Sequence, residues 1–205
     1  MHPKVLGAEG WAVVSTLASA GHIEGWTLAG GTGLALQLGH RRSVDLDFFR
    51  TETLDSEMLI GHLSRLGSIA VQSRAAGTLH VMLNGIRLSF LEAQAPFLFS
   101  GTPYRGLLIA DPRDIAIMKV VAIGGRGSRK DFVDLYFFLR SGGAVDSLMT
   151  LLRRRFANID YNEYHLLKSL VFFDDAEAEP MPRMLRRVSW SEVKKTITAE
   201  VRRLS

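Results

Sequence analysis

The chain has 205 residues, 47% of them hydrophobic, with no cysteine and a formal net charge of +4. That length suffices for one well-buried core, or for a catalytic domain with a helical appendage. The missing thiols exclude disulfides, thiolate metal sites and a cysteine nucleophile; with no apolar run long enough to span a membrane and no basic-then-apolar leader in MHPKVLGAEG, the expected location is the cytoplasm.

Apolar spacing predicts an amphipathic helix over residues 8–20, then a short strand over 25–29 running into Gly30-Gly31-Thr32-Gly33. A helix over 34–38 stops at Gly39. Residues 44–49 alternate as a strand, with Asp45 and Asp47 on one face and Val44, Leu46 and Phe48 on the other. Residues 53–66 read as a helix capped by Asp55 or Ser56. Strands follow at 69–73, 78–83 and 86–92, the last two joined by Asn84-Gly85, a pair that tolerates the positive φ of a type I′ hairpin turn. Beyond Pro96 and Pro103, after a short strand over 107–109, the pattern is helical. One helix opens at Asp111-Pro112 and is expected to end at Gly124-Gly125; others cover 128–139, 144–156, 162–173 and 190–204, the last capped by Ser189. Residues 174–182 read as a flexible loop. The expected fold is α/β of the α+β kind, a mixed sheet flanked by helices over 1–104, followed by a helical domain over 105–205.

Two carboxylates side by side, as at Asp45 and Asp47, repel each other unless a cation neutralises them, and a hard divalent ion such as Mg²⁺ suits oxygen ligands. The alternative is a strand that shows alternating acids to water. The strand-to-helix turn at Gly30, Gly31 and Thr32 lets backbone N–H groups approach a phosphate with a favourable helix dipole, although a tight turn alone would also use glycine. Thr32 is placed either to cap that helix or to offer its hydroxyl to phosphate. His40, Arg41 and Arg42 precede the acidic strand and are candidates for phosphate contact.

Further on, Lys130 and Asp134 are four apart and Asp131 and Asp134 three apart, so all three share one strip of a helix. That strip is either an ion pair on a solvated face or part of a site. Lys119 sits amid Ile117, Met118, Val120 and Val121, so its stem is expected to be partly buried and to need an anionic partner. The basic excess lies beyond residue 104, in Arg153-Arg154-Arg155 and then Arg183, Arg186, Arg187, Lys194, Lys195, Arg202 and Arg203. It is placed either to attract a polyanion such as RNA to the helical half or simply to face solvent.

The stretch LAGGTGLALQLGHRRSVDLDFF resembles the first motif of the DNA polymerase β-like nucleotidyltransferases, and especially of the AbiEii toxin group from type IV toxin–antitoxin systems. There, Gly-Gly-Thr/Ser is followed by a short helix and Ser-x-Asp-hydrophobic-Asp-Phe. DPRDIAIMKVVAIGGRGSRKDFVDLYFFL is similar to the same group's second block, a Lys on one helix, a basic turn, and a helix opening with a basic residue and Asp-x-x-Asp. The resemblance covers residues 25–140. It implies transfer of a nucleoside monophosphate from an NTP to an RNA acceptor, such as a tRNA 3′ end, or to a protein, and a cognate antitoxin as partner. It further implies Mg²⁺ or Mn²⁺ on Asp45 and Asp47, nucleotide contacts from Gly30, Gly31, Thr32, Arg41 and Arg42, and a catalytic set completed by Lys119, Lys130, Asp131 and Asp134. Superfamily enzymes carry a third metal-binding carboxylate where this chain has Ser89, and strand alternation points Glu92 to the opposite face. That departure leaves two other readings open, a catalytically silent nucleotide- or RNA-binding module and a partner-binding protein that retains the fold.

Overall fold

A seven-stranded sheet and the helices packed against it form the framework of the candidate residues. The computed structural model describes residues 1–159 and 161–204. In chain order its first half holds α1 (Ala8–Ser19), β1 (Thr27–Leu28), α2 (Gly30–Leu38), β2 (Leu46–Arg50), α3 (Ser56–Leu63), β3 (Ile69–Ala75), β4 (Thr78–Leu83), β5 (Ile86–Glu92), β6 (Thr102–Tyr104) and β7 (Leu107–Ile109). The second half is helical: α4 (Pro112–Arg126), α5 (Arg129–Arg140), α6 (Val145–Arg155), α7 (Glu163–Ser169), α8 (Asp174–Glu177) and α9 (Trp190–Arg202). No helix among the described residues is long and apolar enough to cross a membrane.

The strand order is β3-β4-β5-β2-β1-β7-β6. The β2–β5 and β1–β7 pairs are parallel, whereas β1–β2, β3–β4, β4–β5 and β6–β7 are antiparallel. Side chains alternate along the strands, so Leu46 and Phe48 of β2 join Leu88 and Phe90 of β5 and residues of α1 and α3 in one apolar cluster. On the other face Phe49 packs against a small cluster of Ala29, Leu34, Ala110 and Ile115 from the turns and faces of α2 and α4. A third cluster joins α4, α5, α6, α7 and α9. Asp47, two residues before Phe49, therefore points to the side where the sheet meets the helices. The sheet extends past residue 104 to Ile109, so the change from sheet to helices falls just ahead of the Asp111 cap of α4.

Several expectations shift once packing is seen. Val44 is 61% exposed and outside the core, because β2 starts at Leu46 and Asp45 lies one residue ahead of the strand. Helix α2 starts at Gly30 rather than residue 34. Gly124 and Gly125 do not end α4, which runs on to Arg126. Leu166 of α7 lies against Gly124 where a side chain would collide, and His165 Nε2 is 2.8 Å from the Gly124 carbonyl, so this glycine allows two helices to approach closely. Residues 174–182 include a helical turn, α8, anchored by buried Ala176. The hairpin at Asn84-Gly85 has the expected positive φ values, 49° and 81°.

Candidate active site

The site grows from the end of β1. Ala29 donates its N–H to the Asp47 carbonyl (2.9 Å), and Gly30 then turns with φ 58° into α2. A Cβ at Gly30 would lie 2.5 Å from Asp47 Oδ2, and one at Gly31 would collide with the Arg41 guanidinium, so only glycine lets this turn close on both groups. Helix α2 has no side-chain N-cap, and the N–H groups of Gly30, Gly31 and Thr32 find no backbone acceptor among the described residues. Such a helix start is a ready anion site. Thr32 is neither a cap nor open to solvent. It is 1% exposed, its hydroxyl donates to the Asp45 carbonyl, and it lies 2.7 Å from Ser43 Oγ. Thr32 thus fixes the main chain that presents Asp45 rather than touching a ligand with its side chain.

Asp131 and Asp134 leave the solvated strip that helical spacing allowed. Asp134 is fully buried and sits at the centre of a polar hub. Arg41 grips it with a two-pronged contact, Nε to Oδ1 at 2.7 Å and Nη2 to Oδ2 at 2.8 Å, His40 Nε2 approaches Oδ1 at 2.7 Å, and Lys119 Nζ lies 2.8 Å from Oδ2. Lys119 Nζ also donates to Asp131 Oδ1 (2.6 Å), whose Oδ2 accepts the Ser128 hydroxyl (2.6 Å) at the start of α5. Burial alone would raise the Asp134 pKa, but Lys119, Arg41 and the bonds from Arg41 and His40 hold it well below the ordinary carboxylate value. For Lys119 burial acts downward and the Asp134 and Asp131 carboxylates outweigh it, keeping the ammonium charged. Burial prevails at His40, whose pKa lies below the usual imidazole value despite Asp134. His40 therefore sits as a neutral ring donating from Nε2, with Nδ1 buried and unpartnered. The anionic partner expected for Lys119 is present twice. Arg41 lines the cleft with its fork engaged by the buried Asp134 carboxylate.

In front of this hub lies a cleft of about 550 Å³, within the usual range for a small-molecule site. Gly30, Gly31, Asp45, Asp47, Lys119 and Asp131 line it, as do Arg42, Lys130 and Arg183. Neither acid of the pair, nor any of the last three cations, makes a salt bridge among the described residues. Asp134 and Thr32 stand behind the wall and shape it. Arg183 was not singled out as a site residue by sequence, where it is one cation in a basic tail. It arrives because residues 183–186 run alongside residues 40–42: Arg42 N–H donates to the Arg183 carbonyl at 2.8 Å, and the Leu185 and Arg186 N–H groups share the His40 carbonyl at 2.8 and 3.0 Å.

Ser89 pairs in register with Asp47 across β2 and β5, the position at which a third carboxylate would stand, and contacts His80 Nδ1 at 3.0 Å. Glu92 is engaged elsewhere, accepting the Leu54 N–H at 2.6 Å. The Arg153-Arg154-Arg155 run is not one basic patch. Arg155 is buried against Asp114 (3.4 Å) and the Phe97 ring, while Arg153 pairs with Glu163 on the surface.

A mixed sheet whose glycine turn opens a helix beside an Asp-x-Asp strand, backed by a helical layer, defines the nucleotidyltransferase fold. Three solved structures share it. A protein described as a nucleotidyltransferase from H. pylori superposes with a TM-score of 0.57, 17% identity and coverage of 94% of this chain and 90% of its own. JHP933 from Helicobacter pylori gives 0.54, 17%, 94% and 87%, and the antibiotic-resistance factor ANT(2'')-Ia gives 0.54, 16%, 76% and 97%. An uncharacterized protein of Aquifex aeolicus (strain VF5) is 38% identical over 168 residues, 80% of this chain and 81% of that protein. Residues 12–203 match the family model described as nucleotidyl transferase AbiEii toxin, type IV TA system, and the chain belongs to that family.

Proposed function

We propose that the chain transfers a nucleoside monophosphate from an NTP to a hydroxyl of an RNA, such as a tRNA 3′ end, or of a protein, in the cytoplasm, as a toxin held in check by an antitoxin. The observation that carries this reading is the unpaired acid pair Asp45 and Asp47 facing the open start of α2 across one cleft. No group of three or more His, Cys, Asp or Glu among the described residues could hold a metal ion. Two carboxylates nevertheless fit Mg²⁺ or Mn²⁺, which keeps several waters and completes its shell with nucleotide phosphates. Bound there, the ion would offset the acids and polarise the reacting phosphoryl group.

The chain's own groups do the positioning. Gly30 and Gly31 offer N–H donors to the triphosphate, and Thr32 holds the Asp45 carbonyl in place. Lys119 donates to Asp131 and is ion-paired with Asp134, which leaves donor capacity to stabilise charge on the transferred phosphate. Lys130 and Arg42 flank the opening. The acceptor hydroxyl gives up its proton to water as its oxygen attacks the α-phosphorus, and the bond to the β-phosphate breaks to release pyrophosphate.

Thermal melting with each NTP, with and without Mg²⁺ or Mn²⁺, followed by transfer of α-labelled NTP to total RNA, tests the proposal. Wild type should be stabilised by one or more NTPs only with metal. Asp45→Asn with Asp47→Asn should abolish both effects while the ligand-free protein melts at the same or a slightly higher temperature, since a repelling pair is removed. Full activity in the double variant sinks the metal-clamp reading. Ser89 beside Asp47 favours a second reading, a module that binds nucleotide or RNA without turnover; metal-dependent NTP binding with no label transferred and no pyrophosphate released would select it.

A further inference from the structure

We infer that Arg183, delivered by the segment 183–186, grips the β- and γ-phosphates of the bound nucleotide together with Arg42 and Lys130. The inference rests on the nucleotidyl-transfer reading and adds to it the part of the nucleotide that the site selects.

The argument is one of charge in the cleft. Arg41 and Lys119 are matched inside the wall by Asp134 and Asp131. What remains facing the cleft is Arg42, Lys130 and Arg183 against Asp45 and Asp47. A divalent ion on the two acids cancels them, and three cations are left for the ligand. A terminal phosphate carries close to two negative charges near neutral pH, and the neighbouring β-phosphate adds one. A nucleoside monophosphate, with close to two charges on its one phosphate, leaves one of the three cations unmatched.

Arg183 is held for such a task by its backbone. Its carbonyl accepts from Arg42 N–H, Met184 bridges antiparallel to Arg41, Leu185 and Arg186 bind the His40 carbonyl, and the Arg186 guanidinium covers the Phe137 ring at 5.1 Å. The loop that the segment clasps is the one whose side chains grip Asp134, so Arg183 is registered to the hub and not left on a free tail. An arginine fork on a fixed main chain suits a phosphate, because less freedom is lost on binding.

Titration calorimetry on the whole chain with Mn²⁺ tests this. The probes are the α,β-methylene triphosphate analogues of the four common ribonucleosides, which cannot be cleaved at the transferred bond, and the matching monophosphates. Wild type should prefer a triphosphate analogue over its monophosphate. Arg183→Gln should weaken the triphosphate analogue about tenfold or more, as loss of a charge-assisted contact does, while leaving monophosphate affinity and the ligand-free melting temperature unchanged. Arg183→Lys should recover part of the loss. Arg187→Gln, which removes a charge next to the segment 183–186 and outside the cleft, should change neither affinity. Unchanged triphosphate binding in Arg183→Gln overturns the inference, and so does equal weakening by Arg183→Gln and Arg187→Gln or equal loss of both probes. If metal-dependent triphosphate binding is undiminished in Arg183→Gln but vanishes in the Asp45→Asn, Asp47→Asn variant, this inference alone falls. If wild type binds no nucleotide, the functional reading falls with it.

Discussion

At the scale of residues, the most consequential finding is that the Asp-x-x-Asp pair splits. Asp131 lines the cleft, whereas Asp134 has no exposed surface and serves as the joint on which His40, Arg41 and Lys119 meet. The hub also carries a pH signature. His40 in the folded protein resists protonation, so its pKa lies below the 6.5 expected in the unfolded chain. A depressed folded pKa means that the unfolded state takes up the proton first. Stability is then full above about 6.5 and falls as the pH drops from there toward the folded value. His40→Gln can keep a donor to Asp134 and removes the proton, so between about pH 6.5 and 5 its unfolding free energy should decline less steeply than wild type, by up to about 1.4 kcal/mol per pH unit. Denaturant unfolding across that interval measures it, and parallel slopes would show that His40 does not report on folding. His22, also depressed by burial and by its neighbours His62 and Arg65, titrates in both proteins and does not mask the difference.

At the scale of elements, Gly124 and Gly125 make opposite predictions inside one helix. A Cβ at Gly125 meets nothing within 4 Å, so Gly125→Ala should stabilise the protein by about 0.4–1 kcal/mol through a less flexible unfolded chain. At Gly124 the added methyl meets Leu166, and Gly124→Ala should destabilise by about 1–3 kcal/mol through overpacking against α7. Paired melting curves check both signs. The same pair shows what sequence could and could not reveal. Strands β4 and β5 and their turn were legible because alternation and Asn84-Gly85 are local signals, and α9 was legible from its Ser189 cap. The continuation of α4 was not, because the glycine within it is matched to Leu166 of α7, a contact distant in sequence. The three-residue edge strand β6 is too short to show a pattern. In the site, Gly30, Gly31, Asp45, Asp47 and Lys119 could be placed from motifs; the engagement of Arg41 by Asp134 and the arrival of Arg183 depend on contacts between distant segments, for which no local pattern exists.

At the scale of the whole molecule, one arginine of the basic helical half serves structure. Arg155 and Asp114 form a buried pair that also fixes the loop after β5, since Asp114 accepts the Leu98 and Phe99 N–H groups at 3.0 Å each. Arg155→Ala leaves the Asp114 carboxylate buried without its partner and should cost about 3–5 kcal/mol. Arg153→Gln and Arg154→Gln, on the exposed side of α6, should each stay within about 0.5 kcal/mol of wild type. Chemical denaturation of the three variants separates them, and similar losses at all three would return the run to a single surface patch. One feature of the architecture also bears on how such a protein is made. Among the described residues, the backbone of the loop at residues 40–42 pairs with residues 183–186, which are synthesised after all seven strands. A growing chain therefore holds the glycine turn and the acid pair long before it holds Arg183. Whatever the cleft gains from Arg183, it gains late in synthesis.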